Sequence, residues 1–267
     1  MYAFDLERPT TLDAALAALA DEDAQALGGG QTLIPTLKQR LAMPTKLVSL
    51  TAIPELDTIR TDDDGRICIG GAAVHARVAR EVADRYPALA ALAGHIGDPA
   101  VRNRGTIGGS LANNDPSACY PAAALGSGAV IVAAGSSGRR EIAADDYFQG
   151  MFATALDEGE IVAEVRFPVP ERASYQKFAQ PASRFALVAV FVARFADGVR
   201  VAVTGASENG VFRWSEAEEA LSGSFAPEAL SGLTAGADGL IGDLHGTPEY
   251  RAHLIGVLTR RAVAAAQ

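Results

Sequence analysis

The chain has only two cysteines, Cys68 and Cys119, in 267 residues. Iron–sulfur clusters take four cysteine ligands each, so this sequence cannot supply one by itself. His75, His95, His245 and His253 are scattered, and none stands at a metal-ligand spacing from either thiol. A lone histidine of this kind reads as a surface or hydrogen-bonded structural residue. Basic charge is also scarce, with 23 Lys and Arg against 32 Asp and Glu and a net charge of -9. That argues against a nucleic-acid partner, because phosphate affinity comes from clustered Lys and Arg. No run approaches the roughly 20 apolar residues that span a bilayer, so direct membrane insertion is not expected. The opening "MYAFDLERPTTLDAALAALADEDA" has acidic residues where a secretory signal carries a basic region and a continuous apolar stretch. The chain therefore reads as cytoplasmic.

What is present points to a globular protein. Hydrophobic residues make up 49% and charged residues 21%, enough for a sizeable core in one large or two ordinary domains. Thr10 or Thr11 can cap a helix whose Leu12, Ala15, Leu16 and Leu19 share one face. "AQAL" reads as a short strand running into Gly28-Gly29-Gly30, and a helix over 32–40 follows, with Leu33, Ile34 and Leu37 on one side. "KLVSL", "RICIGGAAV", "GAVIVAAG" and "GEIVAEVRFPVP" read as strands, and "HARVAREVADRYPALAALAGHIG" as helix broken at Pro87. Pro168 and Pro170 mark the best domain boundary. Beyond them "YQKFA" and "FALVAVFVARF" read as strands, Asp197-Gly198 as a hairpin turn into "VRVAVTGA", and Ser215 with Glu218 as a capping box. Thr247-Pro248 opens a last helix, with Tyr250, Leu254, Val257 and Leu258 on one face and Arg251, Arg260 and Arg261 outside it. The second domain is thus an antiparallel sheet with helices.

Two glycine segments carry the chemistry. In "LGGGQTLIP" three glycines permit positive φ and close backbone approach, and successive amides before a helix can hold a phosphate. The familiar nucleotide templates do not fit: GxGxxG needs glycine where Leu33 stands, and no Gly-Lys-Ser/Thr occurs. The second segment, "RNRGTIGGSLANNDPSACYPAAALGSG", adds Gly108 and Gly109 between hydroxyls, then Asn113, Asn114 and Asp115. Two such loops on one ligand fit a dinucleotide better than a mononucleotide. Arg102 and Arg104 stay outside the core site, since they serve equally as loop-fixing side chains.

Together these segments carry a family resemblance. "ALGGGQTLIPTLKQRLAMPTKLVSL" and "IGDPAVRNRGTIGGSLANNDP" resemble the FAD-binding medium subunit of the molybdenum hydroxylases, the group that includes xanthine dehydrogenase and bacterial carbon monoxide dehydrogenase. "YQKFAQPASRFALVAVFVARF", "VAVTGASENGVFR" and "HGTPEYRAHLIGVLTRRA" resemble that subunit's C-terminal domain, so the match covers nearly the whole chain. Either glycine segment alone would be a weak signal.

The resemblance implies an α+β fold: a PCMH-type FAD-binding domain over 1–170, made of subdomains at about 1–56 and 57–170, then a smaller α+β domain over 171–267. FAD lies between the subdomains in that family. Gly28, Gly29, Gly30, Gln31 and Thr32, with Leu33 next along, match the first loop, and Thr106, Gly108, Gly109, Ser110 and Asn113 match the second. Their backbone amides would hold the pyrophosphate, with Asp115 at hand. Val162 matches a position near the flavin or adenine, and Lys177 matches a lysine that reaches the cofactor or else is a solvated strand lysine. Tyr175 and Phe185 are candidates for an aromatic beside the isoalloxazine ring, or for core. Cys119 is a departure, standing where the family's "NDPxxDYPA" has an Asp that contacts the adenosine end of FAD.

By the same resemblance the chain is an oxidoreductase subunit with no substrate site of its own. It would take electrons from the [2Fe-2S] clusters of a small subunit and pass them to an external acceptor, while a large subunit carries the molybdenum cofactor, as a dimer of heterotrimers. Two other readings stay open: a self-contained flavin oxidase or reductase of the same fold, and a cofactor-free assembly subunit, which Cys119 alone favours.

Overall fold

The structure is a computed structural model describing residues 1–266. Its first layer is a three-stranded parallel sheet in the order Asp5–Glu7, Lys46–Ser49, Ala24–Leu27. Thr11 starts the helix Leu12–Leu19 by accepting a bond from the Ala14 amide at 3.3 Å, the N-cap role its hydroxyl suits. Leu12, Ala15, Ala18 and Leu19 of that helix pack with Val48, Ile53 and Leu56 into one core, which also takes in Ala134, Ile161 and Ala163 of the next sheet.

That next sheet is five-stranded and antiparallel, in the order Ile59–Thr61, Ile67–Gly70, Ile161–Phe167, Val130–Gly135, Gly138–Ala143. Ile161 and Ala163 belong to the first core while Val162, Val165 and Phe167 belong to a second, and the pairing register shifts between Val162 and Glu164. Alternation gives the strand its two faces, and the extra residue there turns Val165 and Phe167 to the core of Val162 rather than that of Ile161. The outer strands escape a reading by periodicity because Ile59–Thr61 has only three residues and Gly138–Ala143 has its charged "GRRE" portion exposed.

The helical stretch expected to break at Pro87 breaks earlier, over 82–86, between helices His75–Glu81 and Pro87–Gly94, and Pro87 is the first residue of the second. The segment read as a second glycine loop is different: Ile107–Asn113 and Tyr120–Ser127 are helices. Glycine is the weakest helix former after proline, so "IGGSLAN" reads as loop until tertiary packing is included. The helix starts on Thr106, whose hydroxyl accepts from the Gly109 amide at 3.1 Å, and ends on Asn114 at φ +41.

The third sheet is antiparallel, ordered Arg172–Ala179, Ala186–Phe195, Gly198–Thr204, Phe212–Arg213. Every residue from Ala186 to Ala193 is buried. The unbroken apolar run follows from covering on both faces: Ala189, Phe191 and Ala193 join the second core, while Val188, Val190 and Val192 join a third with Leu254, Ile255 and Leu258 of the helix Pro248–Ala265. Thr247 caps that helix through the Tyr250 amide at 3.2 Å. Two readings are corrected here. Ser215 makes no cap: Glu218 instead accepts from the Val201 amide at 2.8 Å and from Arg213, a buried use that outweighs a local turn. Arg251 does not lie outside; it is 2% exposed and donates to the carbonyls of Leu187 and Gly205 and to Asp243.

Candidate functional site

Four backbone segments converge with no side chains between them. A Cβ on Gly29 would stand 1.9 Å from the Arg104 carbonyl oxygen, and one on Gly28 would stand 2.8 Å from Thr106 Oγ1. A Cβ on Gly108 would lie 2.6 Å from the Gly71 carbonyl oxygen, and one on Gly71 would lie 1.9 Å from that of Val162. Gly29, Gly71 and Gly108 are required because peptide groups touch where any side chain would intrude, while at Gly28 the obstacle is the Thr106 hydroxyl. Gly109 differs, since its Cβ would meet only Thr106 Oγ1, at 3.0 Å.

The convergence forms the floor of a cavity of about 630 Å³, inside the usual range of roughly 300–1,000 Å³ for cofactor sites. Its first wall is Gly28, Gly29, Gly30, Gln31, Thr32 and Leu33. Thr106, Gly108, Gly109, Ser110 and Asn113 form the second, and Asp115, Cys119, Val162 and Lys177 complete the set named from the sequence. Phe185 also lines the cavity and is 58% exposed, whereas Tyr175 is core: it is 5% exposed and packs 6.5 Å from the Phe191 ring.

The two glycine segments do different work from the even sharing expected. Gly108 already donates to Gly71 O at 2.9 Å, Gly109 to Thr106 Oγ1, and Ser110 to Thr106 O at 3.0 Å. Their amides are satisfied inside the chain. Along the first segment, by contrast, no described group accepts a bond from the backbone amides of Gly28 through Leu33. Unpaired N–H groups that line a cavity ahead of the helix Leu33–Lys38 are free to hold an anion. The second segment contributes space and side chains rather than backbone donors.

Lys177, on the strand Arg172–Ala179, reaches out of the third sheet to donate to His95 O at 3.0 Å, with Nζ 3.4 Å from Cys119 Sγ. It is therefore held in the cavity wall rather than freely solvated. Cys119 is 5% exposed and lines the cavity. Asp115 accepts from the Ser117 amide at 2.8 Å, and Asn114 donates to Gly150 O and Ala153 O at 2.8 Å each. The latter bonds hold the short hairpin that brings Phe152 to the cavity. Arg102 is the loop-fixing residue of the two arginines, bonded to Ile96 O at 3.1 Å and Gly97 O at 2.9 Å.

His75 is a cavity residue that the sequence does not mark as one. His75 lines the cavity, is 4% exposed, and makes no side-chain hydrogen bond among the described residues, so the reading of a hydrogen-bonded structural histidine does not hold. Burial, helped by the Arg102 charge, pulls its pKa down to about 4, and the imidazole is neutral at pH 7. No spacing around "AAVHAR" distinguishes it, because its setting is made by Gly105, thirty residues on.

With this geometry in hand, the comparisons with known proteins are specific. Residues 2–170 match the family described as FAD binding domain in molybdopterin dehydrogenase. The chain is 37% identical to the nicotine 6-hydroxylase medium subunit of Paenarthrobacter nicotinovorans, over 91% of this chain and 89% of that one. It is 32% identical to the carbon monoxide dehydrogenase medium chain of Hydrogenophaga pseudoflava, over 98% and 96% of the two chains. A solved structure of reconstituted CO dehydrogenase from Oligotropha carboxidovorans superposes with a TM-score of 0.88 at 32% identity, covering 98% of this chain and 97% of that one.

Proposed function

This chain belongs to the family of FAD-binding domains of molybdopterin dehydrogenases, and from that premise we propose that it is the electron-transfer subunit of a molybdenum hydroxylase complex. The observation that carries the proposal is the cavity in which unpaired amides from Gly28 to Leu33 face a wall stripped of side chains at Gly109. That donor set fits a dinucleotide pyrophosphate, and the fold's cofactor is FAD. The bound flavin supplies a centre that takes up and releases two electrons.

The chain's own residues bind and orient. Amides of the first glycine segment hold the pyrophosphate, and Gly109 leaves room for it. Leu19, Ala26, Leu156 and Ile161 give an apolar wall that excludes water, and Lys177 brings a cation with no carboxylate partner among the described residues. Two cysteines cannot hold a [2Fe-2S] cluster, so electrons arrive from clusters of a small subunit, and the molybdenum cofactor belongs to a large one. The acceptor is external, and the assembly is a dimer of such heterotrimers in the cytoplasm. No helix among the described residues is long and apolar enough to cross a membrane. Within the chain, the FAD-binding domain comprises 1–170, as subdomains 1–56 and 57–170, and 171–267 is the second domain.

The test is purification from the native source with molybdenum, iron and flavin assayed on the same fraction. Flavin that bleaches with substrate only when the iron- and molybdenum-containing subunits are present supports the proposal. Substrate-driven bleaching by this chain alone would replace it with a self-contained flavoenzyme.

A further inference from the structure

We propose that His75 is a cofactor-binding residue, its imidazole donating a hydrogen bond from Nε2 to an oxygen of the dinucleotide beside the Gly105-Thr106 segment. This rests on the reading of the cavity as the FAD site. The backbone fixes the residue firmly: His75 N–H donates to Gly105 O at 3.0 Å, and Val74 pairs with Thr106 in an isolated antiparallel bridge. Its ring leans on the Tyr120 ring, with centroids 5.3 Å apart and planes at 51°. The seat depends on the absence of a side chain opposite, because a Cβ on Gly105 would come within 2.6 Å of Nε2.

The two ring nitrogens have different surroundings. Nδ1 is sealed from solvent without a partner. Nε2 also lacks a partner among the described residues, but it is not sealed and lies against Gly105 in the cavity wall. A neutral imidazole carries one N–H, and the cheaper arrangement leaves the bare acceptor in the sealed position and turns the donor to the cavity. A buried donor is normally paired, and one left unpaired at a cavity wall marks the place where a ligand atom completes it. The neighbouring cation cannot be that partner, since Arg102 is itself only a donor and is bonded to Ile96 O and Gly97 O.

The experiment titrates FAD into flavin-free full-length chain, following fluorescence quenching, for wild type, His75→Leu, His75→Gln and Gly109→Val. His75→Leu is expected to weaken FAD about tenfold, the effect of one lost hydrogen bond, and His75→Gln to recover most of it. A purely structural histidine would lower the thermal midpoint of the flavin-free protein when replaced. Here the midpoint of His75→Leu should hold or rise, because an unpaired polar group has been removed. Unchanged FAD affinity in folded His75→Leu overturns the inference, while the cavity reading survives if Gly109→Val loses FAD. A wild-type chain that binds no FAD overturns that reading instead. Should His75→Leu fail to fold, the ¹⁵N resonance of His75 Nε2 in wild type decides: it moves on FAD addition, or the inference fails.

Discussion

Replacing Gly109 by valine separates the cavity from the fold. Gly109 has no positive φ, and its Cβ would touch only the hydroxyl of Thr106, at 3.0 Å. The remaining methyls of a valine would point into the space we assign to the pyrophosphate. In the helix Ile107–Asn113, valine is no worse than glycine by propensity, so flavin-free stability should change by less than about 1 kcal/mol. Forcing ligand and methyls to share space costs about 1–3 kcal/mol when both can shift, or about five- to hundredfold in Kd. Gly29→Ala is the contrast: its Cβ falls 1.9 Å from a backbone carbonyl, so the two segments must part and the fold itself weakens. The assay is circular dichroism for folding together with flavin content after gel filtration. Gly109→Val protein that is folded and carries wild-type flavin would refute the reasoning.

The carboxylate of Cys119→Asp would meet the Lys177 ammonium, now 3.4 Å from the thiol, and accept cofactor hydroxyls that a thiol accepts poorly; calorimetry should show tighter FAD binding, and an unchanged Kd rejects the idea. Arg251→Met strands the carbonyls of Leu187 and Gly205 and leaves the partly exposed carboxylate of Asp243 to solvent, so chemical denaturation should register a loss of about 1–3 kcal/mol; no measurable loss would mean that solvent replaces those bonds. Acid should destabilise the chain through His75, whose pKa of about 4 in the fold lies below its ordinary value. The unfolded chain takes up that proton first, so stability is full above about pH 6.5 and falls toward pH 4 by on the order of 3 kcal/mol. Urea unfolding across that window should show a shallower slope for His75→Leu, and an equal slope would contradict the assignment.

Much of this architecture is legible in the residues because local chemistry and tertiary structure agree. Thr11 and Thr247 cap the helices they precede, Pro87 opens the second of two successive helices, and the hairpin expected at Asp197-Gly198 turns one residue earlier, at Ala196-Asp197. The residues named for the cavity meet there because both glycine segments follow or precede regular elements that fix their direction. What escapes the sequence is what depends on distant partners. The helix Ile107–Asn113 is glycine-rich and is held by backbone contacts with Gly71 and Ala73. Those contacts also consume the amides that a loop would have offered to a ligand. Arg251 carries the charge of a surface residue yet serves three groups on other elements. His75 needs Gly105 opposite it before its position means anything.

The central claim is that this chain holds FAD in the cavity between its glycine segments, and it is tested most directly by identifying the chromophore released on denaturing the purified full-length protein. One FAD per chain in the wild type, and clearly less in folded Gly109→Val, is the predicted result. Folded wild-type chain that yields no flavin, and takes up none from excess FAD, would contradict the account.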